Sequence, residues 1–462
     1  MFPKMHKASY PVLSAPAAVL FLMAVGGICI AGKPADAKPT GDVHDAFHSK
    51  AIDTATFRGM LKSKALKDVR AELASLRKTT PSTRLPTVGK LDSFDFMPPS
   101  YTSKHVHTVL YYRPKSSQEG KLPARVLFIL HGGGASTSND DAAKKVAASY
   151  LQGFIPLADH YGMIMIAPAS GFGWNFATSF LLHDLAATVR AELDVDSNQF
   201  YLYGHSMGGM GITREAQFLV DTFAGFISEA SGMQPTYQTD WRLRTYFNTR
   251  FVQINGMDDH FNVGKPDSDS FIMRSRAVAE KIKAMEQEMK CASGYKLVEH
   301  PKEHNPRMDL VQEAFEKDLF PHSRNLYLAD LYPVGVWVNV PQKGNSPALE
   351  KRQYGRFMWI DVADIAEGAA NCYPAGRATV KDNVIAIAFT EPRVLRIRVY
   401  LSERLVDFAK DIEITLNGRT AFKGVCTPDV DRMIEAARTH NDQMYLFENW
   451  IDLDVTRKAT LE

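Results

Sequence analysis

"QFYLYGHSMGGMGITREAQFLV", residues 199–220, decides how this chain is read. The first part is aromatic and apolar, as a strand is, and the last part spaces its apolar residues as a helix does. Between them, Gly204-His205-Ser206-Met207-Gly208 fits the pattern G-x-S-x-G. A strand-to-helix turn of this kind is tight enough to lift the serine out at the edge of a sheet. The glycines two before and two after the serine stand where a side chain would collide with the turn. The stretch therefore predicts a nucleophile, Ser206, rather than an inert packing turn.

A serine hydroxyl attacks only if a base takes its proton. After such an elbow the expected order is an acid and then a histidine. "RFVQINGMDDHFN", residues 250–262, supplies a strand and a turn carrying two candidate acids, Asp258 and Asp259. "YKLVEHPKEHNPR", residues 295–307, supplies two candidate bases. His300 falls within the apparent strand and His304 in the loop beyond it, which favours His304. His260 is too close to the acid in sequence to reach across to Ser206, and His205 adjoins the serine; both read as structural. The attack creates an oxyanion that needs donors. "LFILHGGGAS", residues 127–136, ends a strand in glycines whose bare backbone N–H groups serve that purpose. We assign the N–H of Gly133, with Gly134 as the alternative, together with that of Met207.

Bulk properties are ordinary for a soluble globular protein. The chain has 462 residues, 45% hydrophobic and 23% charged, with 54 basic against 52 acidic side chains. That length accommodates two or three domains. The net charge of +2 and the lack of a basic block argue against a nucleic-acid partner. The N-terminus differs from the rest. Lys4 and Lys7 precede an uncharged run from Pro11 to Gly32, and "ADA" follows at residues 35–37. This is the layout of a secretory signal peptide over residues 1–37. The alternative is an uncleaved anchor, because the run is long enough to span a bilayer. Export to the periplasm or the exterior is expected, with no stable membrane insertion after cleavage. Without Cys29, three cysteines remain (Cys291, Cys372 and Cys426), of which Cys372 and Cys426 are near enough in sequence to pair.

The chain divides by pattern. Residues 38–100 form an extension in which Leu66, Val69, Leu73 and Leu76 mark one helix face, within a helix expected near residues 43–79. Residues 101–322 alternate short apolar strands with amphipathic helices, which implies a mostly parallel central sheet. One helix shows the stripe Leu182, Leu185, Val189 and Leu193; another shows Val278, Ile282, Met285 and Met289. Residues 323–462 are strand-rich, with a hairpin signal at Asn417-Gly418 and one helix near residues 429–439. They read as a β-sandwich-like module that binds a glycan or a partner protein.

On "LHGGGAS", "DVDSNQFYLYGHSMGGMG", "FISEASG" and "INGMDDHFN", residues 100–320 resemble the α/β-hydrolase superfamily. Within it they look like the exported esterases that include polyhydroxybutyrate-depolymerase-like and feruloyl-esterase-like proteins. The resemblance implies a Ser-His-Asp triad and an ester substrate, small or polymeric, with no cofactor. It also selects Asp259, because in that branch the acid stands three residues after the glycine of the "NG" turn, here Gly256. The segment "EHPKEHNP" departs from the usual glycine-histidine pair before the base, which leaves His300 as the alternative.

Substrate clues are few. Phe172, Trp174, Phe176 and Trp241 follow strand ends, and Trp174 and Trp241 are the candidates for contact with substrate. His105 and His107 share a strand face without a third ligand nearby, so no catalytic metal is expected. Two readings compete with the esterase: a serine peptidase of the prolyl-oligopeptidase type, and an inert binding protein. The first lacks room for a propeller before the catalytic domain. The second has no need of a complete set of Ser, Asp and His.

Overall fold

The computed structural model describes residues 42–101, 105–119, 123–133, 139–171, 173–174, 176–259, 269–332, 337–338, 353–366, 376–389 and 392–455. Gly134, Phe172, His260, Cys372 and the signal-like segment fall outside them.

An eight-stranded sheet forms the centre. Its strands are β1 (Leu91–Phe96), β2 (His107–Tyr112), β3 (Ala124–Leu130), β4 (Ile164–Pro168), β5 (Val195–His205), β6 (Gly225–Glu229), β7 (Arg250–Gly256) and β8 (Tyr295–His300). They lie in the order β1-β2-β4-β3-β5-β6-β7-β8. Strands β3 to β8 run parallel, and β1 and β2 are antiparallel at one edge. The sheet thus begins at Leu91, inside the stretch expected to be a linker. "LDSFDF" is half polar because an edge strand has one covered face, so its pattern is weak.

The inner strands are apolar because both faces are covered. Val126, Phe128, Phe200 and Leu202 point to one face and Leu127, Ile129, Tyr201 and Tyr203 to the other. The first face is covered by α6 (Phe176–Glu192), α7 (Met207–Glu215) and α9 (Phe271–Met289). The second is covered by α5 (Asp140–Tyr161) and α10 (Met308–Ala314). The two helix stripes read from sequence are the buried faces of α6 and α9. Two short helices, α4 (Ser116–Glu119) and α8 (Asp240–Leu243), lie in connections.

The extension holds three helices rather than one: α1 (Val43–His48), α2 (Thr54–Met60) and α3 (Leu66–Ala74). Asp42 and Asp53 cap the first two, which is why the chain restarts there. They pack Phe47, Phe57, Val69 and Leu73 on Met433, Ile434 and Ala437 of α11 (Val430–Thr439). Arg438 of α11 donates to the carbonyls of Phe47, Ser49 and Ile52. The extension therefore sits against the C-terminal part of the chain.

The C-terminal part is rich in strands. One sheet orders β12 (Arg356–Phe357), β13 (Ile360–Ile365), β16 (Val394–Leu401) and β19 (Asn449–Asp454). A second orders β18 (Arg419–Gly424), β17 (Ile412–Leu416), β15 (Val384–Phe389), β14 (Gly376–Lys381) and β9 (Asp330–Leu331), and β10 (Trp337–Val338) pairs with β11 (Gln353–Tyr354). Both larger sheets contribute to one core. Asn417 and Gly418 both have positive φ, as a two-residue hairpin turn requires. "GRFMWIDV" is a tight hairpin, not one strand: Met358 takes φ 55° and Arg356 pairs with Asp361.

A buried ionic cluster joins this part to the eight-stranded sheet. Arg324 donates to Asp442 at 2.6 Å, Ser197 donates to the same carboxylate at 2.8 Å, and Arg356 pairs with Asp221. The arginines Arg324 and Arg190 hold the Asp442 carboxyl far below the usual carboxylate range despite its burial.

Candidate active site

Ser206 sits at the junction of β5 and α7 with φ 55° and ψ −117°, a strained backbone for a residue with a side chain. Close packing imposes the turn. A Cβ on Gly204 would lie 2.4 Å from the Gly208 carbonyl, and one on Gly208 would lie 2.0 Å from the Leu130 carbonyl oxygen. Only glycine fits at either place. The Ser206 N–H donates to the Glu229 carbonyl of β6 at 2.9 Å, which pins the elbow to the next strand.

The side chains named from sequence converge here. His304 Nε2 lies 2.9 Å from Ser206 Oγ, and His304 Nδ1 lies 2.9 Å from Asp259 Oδ2. Asp259 is 1% exposed, as expected of a carboxylate that faces inward, whereas Asp258 is exposed. His300 ends β8, is buried, and its backbone carbonyl accepts from Met257. Of the two pairs of candidates, His304 therefore reaches Ser206 and Asp259 reaches His304. Gly256 is needed as glycine, because a Cβ there would meet the Lys302 carbonyl oxygen at 1.8 Å. That contact brings the acid turn against the loop carrying His304. Phe271, at the start of α9, sets its ring 5.7 Å from that of His304 at 33°.

The glycine loop after β3 lies against the elbow. A Cβ on Gly132 would be 3.1 Å from the His205 carbonyl oxygen and 2.6 Å from Tyr150 Oη. Gly133 has φ 113° and is exposed. Met207 opens α7, whose free N–H groups and dipole make its first turn favourable to negative charge.

Trp174 lies beneath the glycine loop. It is 7% exposed, donates its indole N–H to the His131 carbonyl at 2.8 Å, and packs its Cβ over Gly211 of α7. It braces the glycine loop, because an indole of that size fills the gap beside a glycine-rich helix. Trp241 is on α8, with the Arg242 guanidinium 4.6 Å from its ring.

Two buried groups beside the serine were not named as site residues from sequence. Glu229 is fully buried; its carboxylate accepts from Tyr203 Oη at 2.5 Å and from the Arg307 N–H at 2.6 Å. Burial pushes its carboxyl up to about 7, and the bonds from Tyr203 and Arg307 partly offset this. The signal was a lone charge in the apolar run "GFISEASG". His205 is the other: its Nδ1 meets Tyr150 Oη at 2.7 Å and its Nε2 meets the His304 carbonyl at 3.2 Å. Burial lowers its imidazole to about 4, so the ring is neutral at neutral pH.

Among the described residues no group of three or more His, Cys, Asp or Glu is arranged to hold a metal ion, and no helix is long and apolar enough to cross a membrane.

No family model matches the chain, and no curated protein matches it. Solved structures are similar to about half of it. One is a poly(3-hydroxybutyrate) depolymerase, LpqC, from Bordetella parapertussis, with 20% identity over 51% of this chain and 91% of that one, at a TM-score of 0.41. Another is poly(aspartic acid) hydrolase-1 from Sphingomonas sp. KT-1, with 17% identity over 50% and 99% of the two chains, at 0.40. A third is a ferulic acid esterase, with 14% identity over 50% and 96%, at 0.34. In strand order, strand direction and elbow, the chain has the α/β-hydrolase fold.

Proposed function

We propose that this chain is an exported serine hydrolase acting on carboxylic esters. The observation that carries the reading is the unbroken line from Ser206 Oγ through the His304 imidazole to the Asp259 carboxylate, with two contacts of 2.9 Å. His304 Nε2 takes the hydroxyl proton as Ser206 Oγ bonds to the ester carbonyl carbon. Asp259 fixes the tautomer that leaves Nε2 bare and stabilises the imidazolium that forms. The N–H groups of Met207 and Gly133 receive the oxyanion; each such donor contributes on the order of 10²–10³ in rate. The imidazolium returns its proton to the departing alkoxide, leaving an acyl-serine. Water then adds to the acyl carbon, giving one proton to His304, and the acid leaves as Ser206 recovers its own.

The strained backbone at Ser206 supports the same reading, since strain of this kind collects at reacting residues. Export rests on the basic, apolar and small-residue order of the first 37 residues. The test is a panel of p-nitrophenyl acetate, methyl ferulate, an oligomeric hydroxybutyrate and peptide anilides, each with wild type and Ser206→Ala. Turnover of esters that Ser206→Ala abolishes is the expected result. Turnover of the anilides alone would replace the esterase by a peptidase.

A further inference from the structure

We infer that His205 is a positioning residue that ties the glycine loop after β3 to the loop carrying His304, through Tyr150 on one side and the His304 carbonyl on the other. The inference rests on the serine-hydrolase reading and extends it to a residue outside the triad.

The proton positions follow from the partners. A carbonyl only accepts, so the contact of 3.2 Å from His205 Nε2 to the His304 oxygen requires a hydrogen on Nε2. The neutral ring then has a bare Nδ1, which accepts from Tyr150 Oη at 2.7 Å. The Tyr150 oxygen also packs against the glycine loop, where a Cβ on Gly132 would lie 2.6 Å from it. The bonds run in one direction: Tyr150 O–H to His205, then His205 N–H to the His304 carbonyl. Every donor has one acceptor, and the chain closes only with His205 neutral. Its surroundings keep it so: the ring is 5% exposed, and the ring centroid of His304 lies 5.3 Å away.

The consequence is geometric. The main chain of His304 is fixed from the residue next to Ser206, so the base and the nucleophile are referred to one anchor. The same anchor holds Gly132, whose close approach to Tyr150 Oη and His205 leaves no room for a side chain. The donor loop and the base loop, which approach the serine from different strands, are thus held in one frame. A change at His205 alters the distance from Nε2 of His304 to Ser206 without touching substrate.

The test uses the full chain and two readouts: the second-order rate at which a fluorophosphonate labels Ser206, and kcat and KM for p-nitrophenyl acetate. His205→Leu removes both bonds. We expect labelling and kcat to fall by about 10- to 100-fold, the scale of a displacement of about 1 Å at a reacting group, with KM changed less than about twofold. His205→Gln keeps an N–H near the Nε2 position and is expected to recover most of the loss. Tyr150→Phe keeps the ring and removes one hydroxyl; a loss smaller than that of His205→Leu is expected, and this variant serves if His205→Leu does not fold. Wild-type labelling in Tyr150→Phe or in folded His205→Leu overturns the inference, as does a folded His205→Gln no faster than His205→Leu. A wild type that is not labelled at all contradicts the hydrolase reading itself and the inference with it, a result visible before any variant is made.

Discussion

Ninety-eight residues separate Ser206 from His304 in the chain, and the fold brings Oγ of one to 2.9 Å from Nε2 of the other. Strand β5 ends at the serine, and the histidine lies in the loop after β8, three strands away in the sheet. The parallel strands all deliver their C-terminal ends to the same edge, so residues distant in sequence meet there.

That meeting separates the paired candidates. With p-nitrophenyl acetate as substrate, His304→Ala is expected to lower kcat by about 10⁴-fold or more and Asp259→Asn by about 10⁴-fold, since the wrong tautomer is then favoured. His300→Ala and Asp258→Asn are expected to stay within about threefold of wild type, as surface and strand-end changes do. A collapse of turnover in His300→Ala with His304→Ala active would reverse the assignment.

Glu229 gives the elbow a dependence on pH. Its folded carboxyl is raised from 4.5 to about 7, so the folded state holds its proton more tightly than the unfolded state. Its contribution to stability is complete below pH 4.5 and is lost as pH rises through 7. Glu229→Gln mimics the protonated form and removes that loss. Denaturant titrations at pH 5 and pH 8 should find the variant gaining on wild type by about 3 kcal/mol between the two. An equal offset at both pH values would contradict the assignment.

Asp442 tests how the eight-stranded sheet and the C-terminal sheets hold together. Both Asp442 and Arg324 are 1% exposed in their side chains, and Ser197 of β5 completes the contact. Asp442→Ala leaves Arg324 buried without its counter-charge, which costs about 3–5 kcal/mol. Thermal unfolding followed by circular dichroism should show a lowered midpoint in a single transition. A separate early transition with the eight-stranded sheet intact would mean that the two parts unfold independently.

What was legible in the sequence followed from period and spacing. The buried parallel strands read as apolar runs, α6 and α9 showed their stripes, and the elbow had glycines where a side chain is excluded. The choice between Asp258 and Asp259 had no signal in period or polarity and rested on the resemblance alone, because neighbours in a turn differ only in which way they face, and only Asp259 is buried. Strand β1 was missed because a one-sided edge strand alternates weakly. The extension was read as a single helix because Val69 and Leu73 do form a buried face, but the Asp53 cap that restarts the chain looks like any other polar residue. Trp174 was named for its position after a strand end, which cleft walls and loop braces share. Its indole hydrogen bond to the His131 carbonyl gives it a bracing role that position alone did not reveal.

The most direct measurement is fluorophosphonate labelling of the full chain followed by peptide mapping. The account predicts a single adduct on Ser206, absent in Ser206→Ala and slowed by orders of magnitude in His304→Ala. An unlabelled wild type, or an adduct on another residue that persists in Ser206→Ala, would contradict it.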